Sequence, residues 1–273
     1  MLIDFEYDGK KLSDFGYIIC HITGSADAEA ISISSPLIFD TQIQKVLGRF
    51  RPMSAYYEEP YTFTIEIAKN FCGNGKASKI TEEDVRALMK WLSFRGYAKY
   101  KPFYDDLSYS DIYYNGSFNV QAVRLGGEII GFELTFTADS PYAFHDPVIM
   151  EWEFEGMGEF HIHDSSDEYG IIYPKVEITC LGDGNFIMWN DRDGEREGNE
   201  TKIENCTAGE VIKLDGYNKI ISSSREHLSL YNDFSFVFTK IHTTHSGDLN
   251  TFIVSAPCKL TMTYSPVCKV GVI

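Results

Sequence analysis

Apolar and polar side chains alternate with a period of two along most of this chain, which points to a fold built from β-sheets. Tyr61, Phe63, Ile65 and Ile67 alternate with Thr62, Thr64, Glu66 and Ala68. Successive strand side chains point to opposite faces, so one face is apolar and turned to a core while the other meets water. Phe132, Leu134, Phe136 and Ala138 repeat the pattern against Glu133, Thr135 and Thr137. Phe234, Phe236 and Phe238 do so again, and later Leu260, Met262 and Tyr264. Asn115-Gly116 separates Tyr113-Tyr114 from Phe118-Asn119-Val120. Asn-Gly adopts positive φ readily, so a hairpin turn is predicted there.

One segment has a different period. Val85, Leu88, Met89 and Leu92 are spaced i, i+3, i+4 and i+7, which is one face of an α-helix. Thr81 is the predicted N-cap, and Glu82, Glu83 and Asp84 place negative charge where the helix dipole favours it. Ile80 is placed to staple onto Val85, and Gly96 is a natural stop. A single long helix is predicted over about 81–94.

At roughly 100–200 residues per domain, 273 residues leave room for two domains. The segment Asp139-Ser-Pro-Tyr-Ala-Phe-His-Asp-Pro147 follows a strong strand, contains two prolines and precedes a restart of the alternation. The predicted organisation is a mixed α+β domain over 1–145 and an all-β domain over 146–273. Turns at Leu181-Gly-Asp-Gly184, Asp191-Arg-Asp-Gly194 and Leu214-Asp-Gly216 cut the second part into short strands, the pattern of a β-sandwich.

Composition excludes several classes of partner. At 44% hydrophobic and 14% aromatic the chain can fill a core, so it is not intrinsically disordered. With 24 basic and 40 acidic residues the net charge is −16, which repels a phosphate backbone and anionic lipid alike. Nucleic-acid recognition and membrane insertion are therefore not expected, and no run approaches the ~18 apolar residues of a spanning helix. Met1 to Gly9 carries Asp4, Glu6 and Asp8 and has no basic start, so no signal peptide is read there and synthesis in a cytosol is expected. The cysteines at 20, 72, 180, 206, 258 and 268 form no Cys-x-x-Cys pair and are predicted to be reduced and partly buried.

The residues that could carry chemistry have simpler structural explanations. His161 and His163 share a strand face, and His242 or His245 could complete a metal set, but nothing in the spacing requires one. Around Asp183 and Asp191 the Asp-Gly pairs resemble calcium loops; the twelfth position from Asp191 is Lys202, where a bidentate Glu is needed. Gly73-Asn-Gly75-Lys76-Ala-Ser78 has its lysine and serine out of register for a phosphate loop, and no nucleophile elbow occurs. Trp152 and Trp189 are candidates for stacking on a sugar, with residence in a sandwich core as the competing reading. No catalytic residue, cofactor or metal ligand is assigned, and the chain is read as a non-enzyme.

Several segments, taken in order, resemble the distal tail protein family of long non-contractile-tailed phages of Gram-positive hosts. They are Phe5-Glu-Tyr-Asp-Gly9 with Leu12-Ser-Asp-Phe-Gly16-Tyr17, the helix Thr81 to Leu92 ending in Trp-Leu, and Tyr113-Tyr-Asn-Gly-Ser-Phe118. Next come Gly131 to Tyr142, with Ala138 where the family has Cys, and Asn205-Cys-Thr-Ala-Gly-Glu210 with Leu214-Asp-Gly216. Val46-Leu-Gly-Arg49 is similar to a family Gly-Arg-Asp-Gly segment, but Phe50-Arg51 replaces Asp-Gly. The resemblance covers nearly the whole chain.

It implies a ring-forming first domain with a projecting loop or β-hairpin, and a galectin-like outer sandwich. It implies a hexameric ring of this chain at the virion tail tip. The implied partners are the major tail-tube protein, the tail-associated hub protein and, at the periphery, receptor-binding proteins. The source would be a phage or a prophage. On this basis Arg49, Phe50, Arg51, Met53, Tyr56 and Tyr57, in the weakly periodic stretch 40–60, are the predicted inter-subunit contacts. The alternative reading is a carbohydrate-binding adhesin acting through the second domain.

Overall fold

The computed structural model describes residues 1–22, 32–44, 49–69, 79–106, 110–244 and 249–272. The fold is mainly β, and it divides into two compact units, Met1–Phe144 with Lys269–Ile273, and His145–Cys268.

In the first unit the alternating segments align in register and form one sheet. Its strands run in the order Lys10–Lys11, Leu2–Tyr7, Ala98–Tyr104, Ile112–Leu125, Glu128–Ala138, Thr62–Lys69 and Tyr17–Ile19. Phe63 lies opposite Phe136, Ile65 opposite Leu134 and Ile67 opposite Phe132, so two apolar faces become one. Phe118 lies opposite Phe136 on the other side, and Phe5, Tyr7, Tyr100 and Tyr114 join them in a core made largely of aromatic rings.

The helix Glu82–Leu92 begins as the sequence predicts. Thr81 Oγ1 accepts from the Asp84 amide at 3.2 Å, and the Asp84 carboxylate accepts from the Thr81 amide at 2.8 Å. Lys69 adds an ion pair to Asp84 at 2.6 Å. Burial works to raise the Asp84 carboxyl, but the bonds from Lys69 and Thr81 outweigh it and leave its pKa below the ordinary value.

The buried face of the helix differs from the predicted one. Leu88, Trp91 and Leu92 are buried and Val85 is half-buried, whereas Met89 is exposed. The Trp91 indole decides this orientation. It stacks on Phe15 with ring centres 4.3 Å apart and donates its N–H to the Tyr7 carbonyl at 2.8 Å.

Two other expectations are corrected. Asn115-Gly116 is not a turn: both residues lie inside the unbroken strand Ile112–Leu125, and the reversal comes at Gly126 and Gly127, with φ of 60° and 90°. Gly116 is needed for a different reason, because a Cβ there would sit 2.3 Å from the Thr137 carbonyl oxygen and 2.5 Å from the Phe136 ring. Phe234, Phe236 and Phe238 do not share a strand face. Phe234 and Phe238 are buried, but Phe236 takes a φ of 59° and turns outward.

The end of the chain returns to the first unit. The Val272 amide donates to the Tyr61 hydroxyl at 3.1 Å, and the Tyr114 hydroxyl donates to the Val270 carbonyl. Gly271 passes so close to Ile33 that a Cβ would lie 2.4 Å from its Cα.

The second unit is a sandwich of two antiparallel sheets. One runs Val148–Phe154, Cys258–Tyr264, Lys175–Cys180, Val211–Asp215 and Ile220–Ser223; the other runs Gly158–His163, Leu249–Val254, Gly184–Asn190 and Thr201–Cys206. Ile178, Ile212, Leu260 and Met262 from the first sheet meet Phe160, Met188, Ile203 and Phe252 from the second in one buried core. The cysteines at 20, 180, 206, 258 and 268 are free thiols. Cys72 and His245 lie outside the described residues, as does the 73–78 glycine-rich stretch. Among the described residues no helix is long and apolar enough to cross a membrane.

Candidate assembly interface

The predicted contact residues lie on a β-hairpin. Leu37–Gln44 pairs antiparallel with Arg49–Tyr57, from Leu37 opposite Tyr57 to Gln44 opposite Arg49. The weak periodicity of this stretch has a local cause. The register shifts between Asp40 and Thr41, which adds a residue to the second strand and breaks its alternation, and Pro52 falls at that irregularity. Among the described residues the pair forms a two-stranded sheet of its own. Its base is fixed to the first unit, where the Tyr57 ring meets Tyr142 edge-on with centres 6.1 Å apart. Ser35, just before the hairpin, is buried and donates to the Pro141 carbonyl at 3.4 Å.

Among the described residues, no sheet covers either face of the hairpin beyond that base. Leu37, Phe39, Phe50, Met53 and Tyr56 are 45–66% exposed. Arg51 is also exposed, and the backbone of Arg49 pairs with Gln44 at the far end. A lone two-stranded ribbon is marginal in water. Large apolar side chains therefore stand exposed on both of its faces, the composition of a candidate contact surface.

The two candidate sugar-stacking tryptophans do not converge. Trp152 lies opposite Leu260 in one sheet and faces the core, with its ring centre 4.2 Å from that of Phe160. Trp189 lies opposite Ile253 in the other sheet and carries the Arg196 guanidinium 4.6 Å above its ring. A groove of 360 Å³ on the outer face of the larger sheet is lined by Lys175, Glu177, Lys213 and Asp215 among others, and holds no aromatic ring. His161 is exposed and meets Glu159 at 3.3 Å, whereas His242 bonds Asp193 at 2.6 Å. Among the described residues no group of three or more His, Cys, Asp or Glu side chains is placed to hold a metal ion.

The Asn205 to Glu210 signature has a clear structural basis. Asn205 takes a φ of 58° and Gly209 one of 79°, conformations that suit these two residue types. The turn closes when the Glu210 carboxylate accepts from the Thr207 amide at 3.0 Å. The Gly209 amide then donates to the Cys180 carbonyl at 2.7 Å, anchoring the turn to the neighbouring strand.

Comparison with known families agrees with this fold. Residues 1–140 match a family described as a phage tail protein N-terminal domain, and residues 142–264 match one described as a phage tail C-terminal domain. The chain belongs to this phage tail protein family. Among solved structures, the tail protein is similar to the SPP1 Dit (gp 19.1) protein, described as a paradigm of the hub adsorption apparatus in Gram-positive-infecting phages. That likeness has a TM-score of 0.64 at 10% identity and covers 97% of this chain and 99% of that one. At that identity it is a likeness of fold, and the fold is that of a distal tail protein. A chain of the phage P2 baseplate in its activated conformation with calcium also matches, with a TM-score of 0.49 at 9% identity, over 96% of this chain and 98% of that one. Comparison with curated proteins gives no match.

Proposed function

We propose that this tail protein is a structural subunit of the tail tip, a distal tail protein whose copies close into a hexameric ring. The hairpin 37–57 is the clasp that reaches a neighbouring copy. The observation that carries this reading is the exposure of Phe39, Phe50, Met53 and Tyr56 on a ribbon that, among the described residues, forms a two-stranded sheet of its own. A head-to-tail contact of this kind closes into a ring when its rotation returns to the start. One ring face would meet the major tail-tube protein and the other the tail-associated hub protein, with receptor-binding proteins held at the periphery. The subunit would be made in the bacterial cytoplasm, end in the virion tail tip and catalyse no reaction. The adhesin reading has less behind it, because Trp152 faces the core and Trp189 lies beneath Arg196.

Light scattering and negative-stain imaging test the proposal. The wild-type chain at high concentration is expected to give rings. Phe50→Asp combined with Met53→Asp is expected to give monomers that melt at the wild-type temperature, because both side chains lie in water in the free subunit. Rings that persist in this double variant would assign the contact to another surface, and a strictly monomeric wild type would count against the ring itself.

A further inference from the structure

A buried polar cluster in the second unit holds the segment 224–238. The His227 side chain is 5% exposed and that of Glu210 1%. His227 Nε2 lies 2.5 Å from Glu210 Oε1, and Nδ1 lies 2.9 Å from Asp233 Oδ2. A neutral imidazole carries one N–H and one bare nitrogen. Carboxylate oxygens are acceptors only, so a ring facing one at each nitrogen fits this site when both nitrogens are protonated.

The partners of the ring are themselves fixed. Glu210 also accepts from Ser223 Oγ at 2.6 Å and from the Thr207 amide, and Asp233 accepts from Asn205 Nδ2 at 2.9 Å. Arg225 donates to Thr207 Oγ1 and to the Ala208 carbonyl, both at 2.8 Å. Cys180 and Cys206 lie within electrostatic reach of Glu210. His227 therefore joins the turn at 205–210 to the end of the short helix Leu230–Asp233.

The joined segment is held in an unfavourable shape. Phe236, at a φ of 59°, is an aromatic residue in the left-handed region, where a bulky side chain is strained. It is 63% exposed and lies parallel to Tyr231, itself 66% exposed, with ring centres 6.4 Å apart. Something must hold two large rings in water against that strain, and Phe234 and Phe238 do so from the core side.

We propose that His227 is the bolt of a proton-operated latch: as an imidazolium it ties Glu210 to Asp233, and loss of one ring proton frees the segment 224–238 and the exposed Tyr231–Phe236 pair. After that loss one carboxylate faces a nitrogen lone pair, and two negative groups are left without the cation between them.

The sign follows from the partners. Bonds to Glu210 and then Asp233 raise the His227 pKa above its ordinary 6.5, against the opposing effect of burial. A group whose folded pKa is raised stabilises fully below its unfolded value and loses that contribution as pH climbs through the folded one. The carboxylates set the acid edge. Burial works to raise Glu210, but the bonds from Ser223, His227 and Thr207 outweigh it; His227 and then Asn205 lower Asp233. Their contribution is lost as pH falls through those lowered values. The latch is closed between the two edges.

Amide exchange of the full chain, corrected for the intrinsic pH dependence of exchange, tests this together with the NMR titration of the His227 ring. Protection of 224–238 in the wild type is expected to fall by up to about ten-fold per pH unit from the ordinary histidine value of 6.5 up to the His227 titration and to level off above it, while the core strand Leu249–Val254 holds. His227→Gln is expected to be unprotected in this segment already at neutral pH and to show no further alkaline fall. An alkaline fall that persists in His227→Gln would assign it to the nearby thiols and overturn the proposal. So would wild-type protection that is flat through the ring titration, or a His227 ring that NMR shows to be neutral at neutral pH. The ring titration is read on the wild type, so the proposal stays open to refutation even if the variant does not fold.

Discussion

Replacing Trp91 tests how the helix is fixed to the first unit. Its side chain is 4% exposed, stacked on Phe15 at 4.3 Å and 8° and lying 5.8 Å from Phe5. Its N–H donates to the Tyr7 carbonyl at 2.8 Å in a buried site. Truncating a buried tryptophan to alanine costs about 3–5 kcal/mol, the loss of transfer energy plus the cavity left behind. Trp91→Phe keeps one ring on the Phe15 face and loses the hydrogen bond, a cost of about 1–2 kcal/mol. Against a total stability of about 5–15 kcal/mol the alanine variant loses a large share. For a unit of this size each kcal/mol lowers the midpoint by roughly 3 °C, so alanine should lower it by roughly 10–15 °C and phenylalanine by roughly 3–6 °C.

Calorimetry measures this, and the tryptophans supply a reference. The chain has three, at 91, 152 and 189, and only Trp91 belongs to the first unit. In either variant the fluorescence therefore follows the second unit alone. A Trp91→Ala midpoint within about 2 °C of wild type would refute the reasoning, since it leaves no room for a cavity cost. A phenylalanine variant as damaged as the alanine one would refute the separation of stacking from hydrogen bonding.

Three further outcomes follow from named contacts. Gly116→Ala should destabilise the first unit by at least about 2 kcal/mol in a denaturant titration, because its methyl group would meet the Thr137 carbonyl at 2.3 Å. Thr81→Ala should cost about 1 kcal/mol through the lost helix cap, read by the same titration. Asp84 has a lowered pKa, so its contribution is present above the ordinary value of 3.8 and is lost as pH falls through the lower folded value; thermal melts of Asp84→Asn in acid should lack that part of the wild-type decline.

Local pattern carried much of the fold. The strands around Phe63, Phe136 and Leu260 were legible because each has one buried face, and burial on one face is what a period of two records. The helix cap was legible because Thr81 and Asp84 are three residues apart. Features set by distant neighbours were not. Gly116 looks like a turn residue in sequence, but it answers to crowding from Phe136 and Thr137. The outward turn of Phe236 depends on the fold of its whole segment. Met89 and Trp91 project from nearly opposite sides of the helix, so only one of them can face the core, and Phe5 and Phe15, far away in sequence, decide for Trp91.

The candidate sites divide in the same way. The hairpin residues drew notice by type, while their shared ribbon appeared only once Leu37–Gln44 was paired with them. The His227 cluster left no trace in the spacing: its carboxylates come from a turn and from a helix end, at 210 and 233, and neither has a motif that points to the other. The Asn205 to Glu210 signature was the one available signal, and it encodes the turn that holds Glu210.

The return of residues 269–272 to Tyr61 and Tyr114 has a consequence for the order of events on the ribosome. Both hydroxyls bond backbone that follows the sandwich in the chain, Tyr61 in addition to its bond to the Ser32 carbonyl. The sandwich has all of its strands before that point and can fold first, whereas the part that carries the hairpin stays unfinished until it is through. A nascent chain would therefore carry the hairpin on an incomplete base until residues 269–272 have been made. The last residues described would thus set when the first unit, hairpin included, reaches its full stability.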